Sequence, residues 1–330
     1  MSKFVWFPVG LLLALPSFAE VHAKGLLFRK HTAPEVVAIP GNLDIHDFRL
    51  IDKSRGDREI PVRAYVPKGK GPFPTVLFSP GLGGSRETYV YLAIAWAAAG
   101  YLVLIPTHAG SATDDMNTLG GNLIGKGIKA VRIVSDQRNW TNRVQDMQYL
   151  LAHTQEVEFL AGKIDKEKIA LAGHSFGAQT ALAGTGAKIH LSGKENPSLL
   201  IPEAKIAIAI SPQGEGRMGF KDDSWSELSK PTLFIRGERD AGIFGDAPET
   251  RDHPFQHAPS NGKMYHALIP GEHATHMFFV GDGVTAKAKE SVKDVEELTL
   301  TFLNKFLKKN SPTEIATEGT REGRVVLRSK

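Results

Sequence analysis

The sequence predicts an α/β fold: a mostly parallel, twisted sheet of about eight strands with helices on both faces. Two observations carry that reading. Short apolar runs of strand length alternate with helical segments through most of the chain. At 330 residues, with 42% apolar and 23% charged residues, the chain has the balance of a globular protein and length enough to bury a large core.

The first residues read as a targeting segment. Lys3 supplies a positive start, Phe4 to Leu15 is almost wholly apolar, and Ser17-Phe18-Ala19 offers the small residues a signal peptidase accepts. Removal is expected after Ala19 or Ala23. A membrane anchor is the competing reading, but the run is short for a bilayer and Pro8 and Pro16 interrupt it. The expectation is an exported chain, periplasmic or secreted, without stable membrane insertion. Residues 1–19 are then signal peptide, 20–44 a leader, 45–309 one domain and 310–330 a loose polar tail.

Asp44 to Ile51 and Glu59 to Val66 read as an antiparallel hairpin around the turn Lys53-Ser54-Arg55-Gly56-Asp57. Thr75 to Ser79 is a buried strand, followed by the glycine turn Pro80-Gly81-Leu82-Gly83-Gly84. Arg86 to Ala99 is a helix ended by Gly100, and Tyr101 to Pro106 the next strand. A polar, Gly-rich excursion runs from His108 to Asp136, longer than a connection needs. Asn139 to Thr154 is a helix, Ile169 to Ala172 a strand, and Ala178 to Ala183 lies on a helix. A second excursion covers Gly184 to Pro202. Strands follow at Lys205 to Ile210, Thr232 to Arg236 and Met264 to Ile269, and the amphipathic helix Thr285 to Lys308 closes the domain.

Composition narrows the chemistry. The chain has no cysteine, which removes thiol nucleophiles, disulfides and thiolate metal sites. The net charge of +4 is spread along the chain apart from a basic tail, so no nucleic-acid surface is read.

Gly173-His174-Ser175-Phe176-Gly177 matches Gly-x-Ser-x-Gly. With 33 glycines in 330 residues the pentapeptide alone is expected by chance roughly 0.2 times. Its setting is more specific. Lys168 to Ala172 is a strand leading in and Ala178 to Ala183 a helix leading out, the context of a nucleophile elbow. A plain strand-to-helix turn capped by serine is the competing reading. A serine hydroxyl needs a base, and the base needs a carboxylate that sets its tautomer; behind an elbow these follow in the order acid, then histidine. Asp240, in the loop after Thr232 to Arg236, fits the acid, with Glu238 the weaker alternative. In Pro270-Gly271-Glu272-His273-Ala274-Thr275-His276, the base is His276, ahead of the apolar Met277-Phe278-Phe279, or else His273. The oxyanion-binding N–H groups are expected from Phe176 and, in the glycine loop, Leu82.

No metal is assigned, since His253 and His257 lie on a separate polar loop. Two nucleotide-binding lookalikes fail. Gly81-Leu82-Gly83-Gly84-Ser85-Arg86 has Arg86 where a dinucleotide fingerprint needs its third glycine. Gly120 to Lys126 is followed by Gly127 where a P-loop needs Ser or Thr, and no strand leads into it.

These motifs resemble the predicted dienelactone hydrolase and platelet-activating-factor acetylhydrolase-like branch of the α/β-hydrolases, from about Ile60 to Leu307. The resemblance rests on Phe78 to Arg86, on Gly100 to Pro106 with His108, on Arg143 and Asp146, on Gly173 to Gly177, and on Gly237-Glu238-Arg239-Asp240. It implies an α/β-hydrolase fold and hydrolysis of small, short or oxidised ester chains without a cofactor. Three positions depart from the pattern. Ser79-Pro80 replaces a frequent histidine, Thr107 a frequent aspartate, and His273 a usual glycine. Dienelactone hydrolases proper use a cysteine nucleophile, which this chain lacks. The leading expectation is a serine ester hydrolase. A lipase, polyesterase or peptidase on the same scaffold, or a catalytically silent binding module, are the alternatives.

Overall fold

The computed structural model describes residues 40–112, 123–193, 198–242, 245–281, 286–308, 315, 318–321 and 325–330. The expected signal segment and most of the leader lie outside the described residues, as do parts of both excursions.

Strands β1 (Leu43–Asp52) and β2 (Arg58–Pro67) form the expected hairpin. One 3-10 turn joins them: Asp52 accepts the Ser54 N–H at 3.0 Å, and Gly56 takes left-handed backbone at φ +68°. Then come β3 (Phe73–Ser79), β4 (Leu102–Pro106), β5 (Ile164–His174), β6 (Ala204–Ile210), β7 (Thr232–Gly237) and β8 (Met264–Ile269). These six pair with one another in parallel. The helices are α1 (Val90–Ala98), α2 (Leu123–Ser135), α3 (Gln137–His153), α4 (Phe176–Thr185), α5 (His253–His257) and α6 (Ala286–Leu307). With β9 (Glu318–Arg321) and β10 (Val325–Ser329) the described residues form a sheet of ten strands, in the order β1-β2-β4-β3-β5-β6-β7-β8-β10-β9.

Successive residues of the parallel strands enter two different cores, as strands buried on both faces require. Val76 and Phe78 of β3, with Val103 and Ile105 of β4, pack with Trp96 of α1 and Phe302 of α6. Leu77, Leu102 and Leu104, alternating with them along the strands, pack with Val144 and Met147 of α3 and Leu182 of α4. Each such side chain contributes about 1.5–3 kcal/mol over leaving it exposed. That two-sided burial holds the strand ends, and therefore the loops they carry, in place.

Several expectations are corrected. Of the segment 310–330, expected as a loose tail, residues 318–321 and 325–329 are strands of the sheet. Within it, β10 pairs antiparallel with β8, Val326 opposite Leu268, and Lys330 exchanges backbone hydrogen bonds with Met264 at 3.0 and 3.1 Å. Val325 and Leu327 are buried in the core that also holds Phe302 of α6. Val325 to Ser329 stands at the end of a polar stretch, outside the strand–helix alternation that marks the other strands, so only its pairing with β8 identifies it. The helix expected from Arg86 begins only at Val90. Ser85 to Thr88 closes a turn through a Thr88 N–H to Ser85 carbonyl bond of 3.1 Å, and Tyr89 stands at φ +60°, outside helical space. Its end is as expected. Gly100, at φ +89°, donates to Ala97 at 2.9 Å and Tyr101 to Trp96 at 3.0 Å, the paired bonds of a Schellman cap. The first excursion contains α2, and β5 starts at Ile164, five residues before the strand read from sequence.

Candidate active site

The turn from β5 into α4 is built around two close approaches. A Cβ on Gly173 would overlap the Gly177 carbonyl, and one on Gly177 would overlap the Ser79 carbonyl, so only glycine fits either place. Between them Ser175 holds φ +53° and ψ −115°, a conformation that costs an L-residue roughly 1–3 kcal/mol. The surrounding strands impose it, and it lifts the side chain clear of the backbone at the carboxyl ends of the parallel strands.

Two further loops bring side chains to that point. The segment after β8 carries His276, whose Nε2 is 2.9 Å from Ser175 Oγ. Its Nδ1 is 2.7 Å from Oδ1 of Asp240, in the loop after β7. A carboxylate can only accept, so Nδ1 bears the proton and Nε2 is free to accept the serine hydroxyl. Asp240 is fully buried. Burial would raise its carboxyl, but His276, Arg251 and the Ser211 hydroxyl outweigh burial and hold it well below the usual carboxylate range. The acid therefore stays charged beside the imidazole.

The alternatives read from sequence are placed elsewhere. His273 Nε2 lies 2.8 Å from Ser291 Oγ on α6, with its ring edge-on to Phe278. Glu238 accepts the Gly271 N–H at 2.5 Å. Neither is bonded to Ser175 or His276.

The loop Pro80 to Gly84 follows β3. Gly81 N–H donates to the Tyr89 hydroxyl at 3.2 Å, Gly83 to the Ser111 carbonyl at 2.9 Å and Gly84 to the Gly81 carbonyl at 3.0 Å. These bonds commit the amides on either side of Leu82 and leave that of Leu82 itself. Phe176 supplies the first N–H of α4, one of the helix-end donors with no acceptor inside the helix.

Buried groups brace this loop from behind. Arg143 of α3 donates to Ser79 Oγ at 3.0 Å, to the Pro80 carbonyl, to Ser111 Oγ at 2.7 Å and to Thr180 Oγ1 at 3.2 Å. Its guanidinium also lies 4.5 Å from the centre of the Phe176 ring. His108 bridges Ser79 Oγ at 3.0 Å and Asp146 at 2.9 Å, and Arg58 grips Asp146 at 2.7 and 2.8 Å. Burial opposes the Asp146 charge, yet Arg58 and His108 hold its carboxyl down at about 2. So the departure at Ser79 is part of the scaffold, joining Arg143 to His108. At Thr107 the hydroxyl oxygen accepts the Arg86 N–H at 2.9 Å.

Sequence reasoning missed Tyr89, Ser211, Gln213 and Arg251, and saw His174 only as a motif letter. Tyr89 accepts the Gly81 N–H, and its hydroxyl oxygen shares a hydrogen bond of 2.8 Å with His174 Nδ1, tying the glycine loop to the elbow. Burial, then the nearby His276, keeps the His174 imidazole well below its ordinary value and so neutral. Ser211 and Gln213 lie at the carboxyl end of β6, where side chains of such sheets face a ligand, and that position was a usable signal. Nothing near Arg251 in sequence marks it. His253 and His257 sit on α5, and among the described residues no group of three or more His, Cys, Asp or Glu is arranged to hold a metal. Of the second nucleotide-binding lookalike, Gly120 to Asn122 lie outside the described residues, and Leu123 to Lys126 start α2.

Comparison with known proteins agrees with this architecture. A platelet-activating factor acetylhydrolase from Cavia porcellus is 23% identical over 297 residues, covering 78% of this chain. The match takes in 63% of that protein's own length. The crystal structure of a provisionally named dienelactone hydrolase from Klebsiella pneumoniae superposes with a TM-score of 0.58 at 17% identity, over 80% of this chain and 100% of that one. The sequence profile of the alpha/beta hydrolase family matches residues 76–293, a span that runs from β3 through the elbow and both partner loops into α6, and the chain therefore belongs to the alpha/beta hydrolase family.

Proposed function

We propose that the protein is an exported serine hydrolase that cleaves small carboxylic esters through an acyl-enzyme. The reading is carried by one observation: Ser175, His276 and Asp240, from three separate loops, join in a hydrogen-bonded chain of 2.9 and 2.7 Å. Family membership makes hydrolysis the reaction class. The platelet-activating factor acetylhydrolase relative supports an ester substrate. Export rests on the sequence of residues 1–19.

In this mechanism Ser175 Oγ attacks the ester carbonyl carbon while its proton passes to His276 Nε2. Asp240 keeps the imidazole in the right tautomer and stabilises its positive charge. The N–H groups of Leu82 and Phe176 receive the oxyanion, each such donor being worth roughly 100- to 1000-fold in kcat. His276 then gives its proton to the departing alkoxide, and the acyl group remains on Ser175. Water, deprotonated by His276, releases the acid and returns the proton to the serine.

Substitution separates the roles. Ser175→Ala should lower p-nitrophenyl acetate hydrolysis by several orders of magnitude, and so should His276→Ala, whereas His273→Ala should stay within severalfold of wild type. Full activity in Ser175→Ala would sink the reading, and a large loss only in His273→Ala would move the base.

A further inference from the structure

The loop after β6 is constrained more tightly than a connection between strands needs to be. Ser211, a non-glycine residue, stands at φ +50° and donates its hydroxyl to Asp240. Gly214 lies so near the Thr250 carbonyl that a Cβ there would overlap it. Between the two, Gln213 is 4% exposed, and its Nε2 is 3.4 Å from Ser175 Oγ. Backbone strain of this kind persists only where the surroundings impose it, and it gathers at functional sites.

Arg251 determines which end of the Gln213 amide faces the serine. Its side chain is 2% exposed, and Nη1 donates to Gln213 Oε1 at 3.0 Å and to the Pro212 carbonyl at 3.1 Å. Its Nε also lies 3.4 Å from Asp240 Oδ1. A guanidinium has donors and no acceptor, so the amide oxygen must face Arg251 and the amide N–H must face Ser175. His276 accepts the serine proton, so the Gln213 N–H meets the oxygen of Oγ. Once Oγ bonds to a carbonyl carbon, that N–H is available to the substrate.

Topology sets which part of the substrate it meets. β5 is flanked by β3, whose loop carries Leu82, and by β6, whose loop carries Gln213. Gln213 thus approaches Ser175 from the side opposite the oxyanion loop. His276 must face the departing alkoxide to protonate it. Of the substituents on the attacked carbon, the acyl chain is the one left. We infer that Gln213, positioned by Arg251, binds the substrate by donating its N–H to an oxygen on the acyl carbon next to the scissile carbonyl. The site then favours esters of 2-oxygenated acids, such as 2-alkoxy or 2-hydroxy acids, over plain alkanoates. The inference rests on the reading of Ser175 as the nucleophile of an ester hydrolase.

p-Nitrophenyl methoxyacetate and p-nitrophenyl butyrate differ by one oxygen in place of one methylene at that position. Their kcat/KM ratio, divided by the ratio of their hydroxide-catalysed rates, removes the difference in intrinsic reactivity. Wild type should prefer the methoxyacetate. Gln213→Met keeps the length and loses the N–H; Gln213→Glu keeps an acceptor for Arg251 and loses the N–H. Each should lower the corrected ratio about tenfold. A misfolded fraction slows both esters alike and leaves the ratio unmoved. An unchanged ratio in both variants overturns the inference, including where both esters slow equally. Ser175→Ala run alongside distinguishes the levels. Activity retained there overturns the nucleophile reading and the inference with it, whereas an inactive Ser175→Ala beside an unchanged ratio overturns the role of Gln213 alone.

Discussion

Behind the site, His108 is neutral because burial, reinforced by Arg143, holds its imidazole down at about 4, although Asp146 pulls the other way. A base whose folded value lies below its unfolded value of 6.5 binds its proton first in the unfolded chain. The stability it supports is therefore present above pH 6.5 and lost as pH falls toward 4. Wild type should lose about 2 kcal/mol between pH 7 and pH 5 that His108→Asn does not, measured as unfolding free energy in urea at the two pH values. An equal pH dependence in both proteins would show that His108 is not the group responsible. At this scale the residue types were legible in sequence: a serine between glycines, an acid and a histidine after later strands. The choice between His273 and His276 was not. The two lie three residues apart in one loop, and only the fold of that loop sends one to Ser175 and the other to Ser291.

Among the elements, the elbow shows how a local turn depends on a distant strand. Gly177 belongs to α4, yet the atom that forbids a side chain there is the Ser79 carbonyl at the end of β3. Gly177→Ala should thus push β3 and α4 apart, costing about 3 kcal/mol, near the top of the range for overpacking. It should also remove activity, because Pro80 to Gly84 and Phe176 move with those elements. Thermal unfolding together with ester hydrolysis checks this; a fully stable and active variant would contradict the close approach. Strand-to-helix alternation made the parallel strands and α4 readable in advance. The late start of α1 was not readable, since Tyr89 is turned to positive φ while its hydroxyl bridges Gly81 and His174, two partners supplied by the folded molecule.

For the whole molecule, the sheet extends past the domain end expected at residue 309. β10 covers the edge of β8, the strand that leads into the His276 loop. Leu327, from β10, is buried in the core shared with Phe302 of α6. Leu327→Ala should cost about 3 kcal/mol, within the usual range for a buried leucine. Deleting residues 310–330 should cost more and expose the β8 edge to pairing with other chains, raising aggregation on heating. Light scattering during thermal unfolding reads both effects, and a deletion as stable and soluble as the full chain would contradict the role of β10.

By itself the sequence determined the α/β class, the tight strand-to-helix turn at Ser175 and the glycine loop around Leu82, and it singled out Asp240 as the carboxylate to expect near that turn. Apolar periodicity and the steric demands of tight turns are local properties, written in neighbouring residues. Tertiary structure alone decided that His276 is the histidine beside Ser175, that 325–329 is a strand, and that Arg251 turns the Gln213 amide toward Ser175. Each of these depends on a bond between residues far apart in the chain, and such a bond exists only once the sheet has brought its loops together.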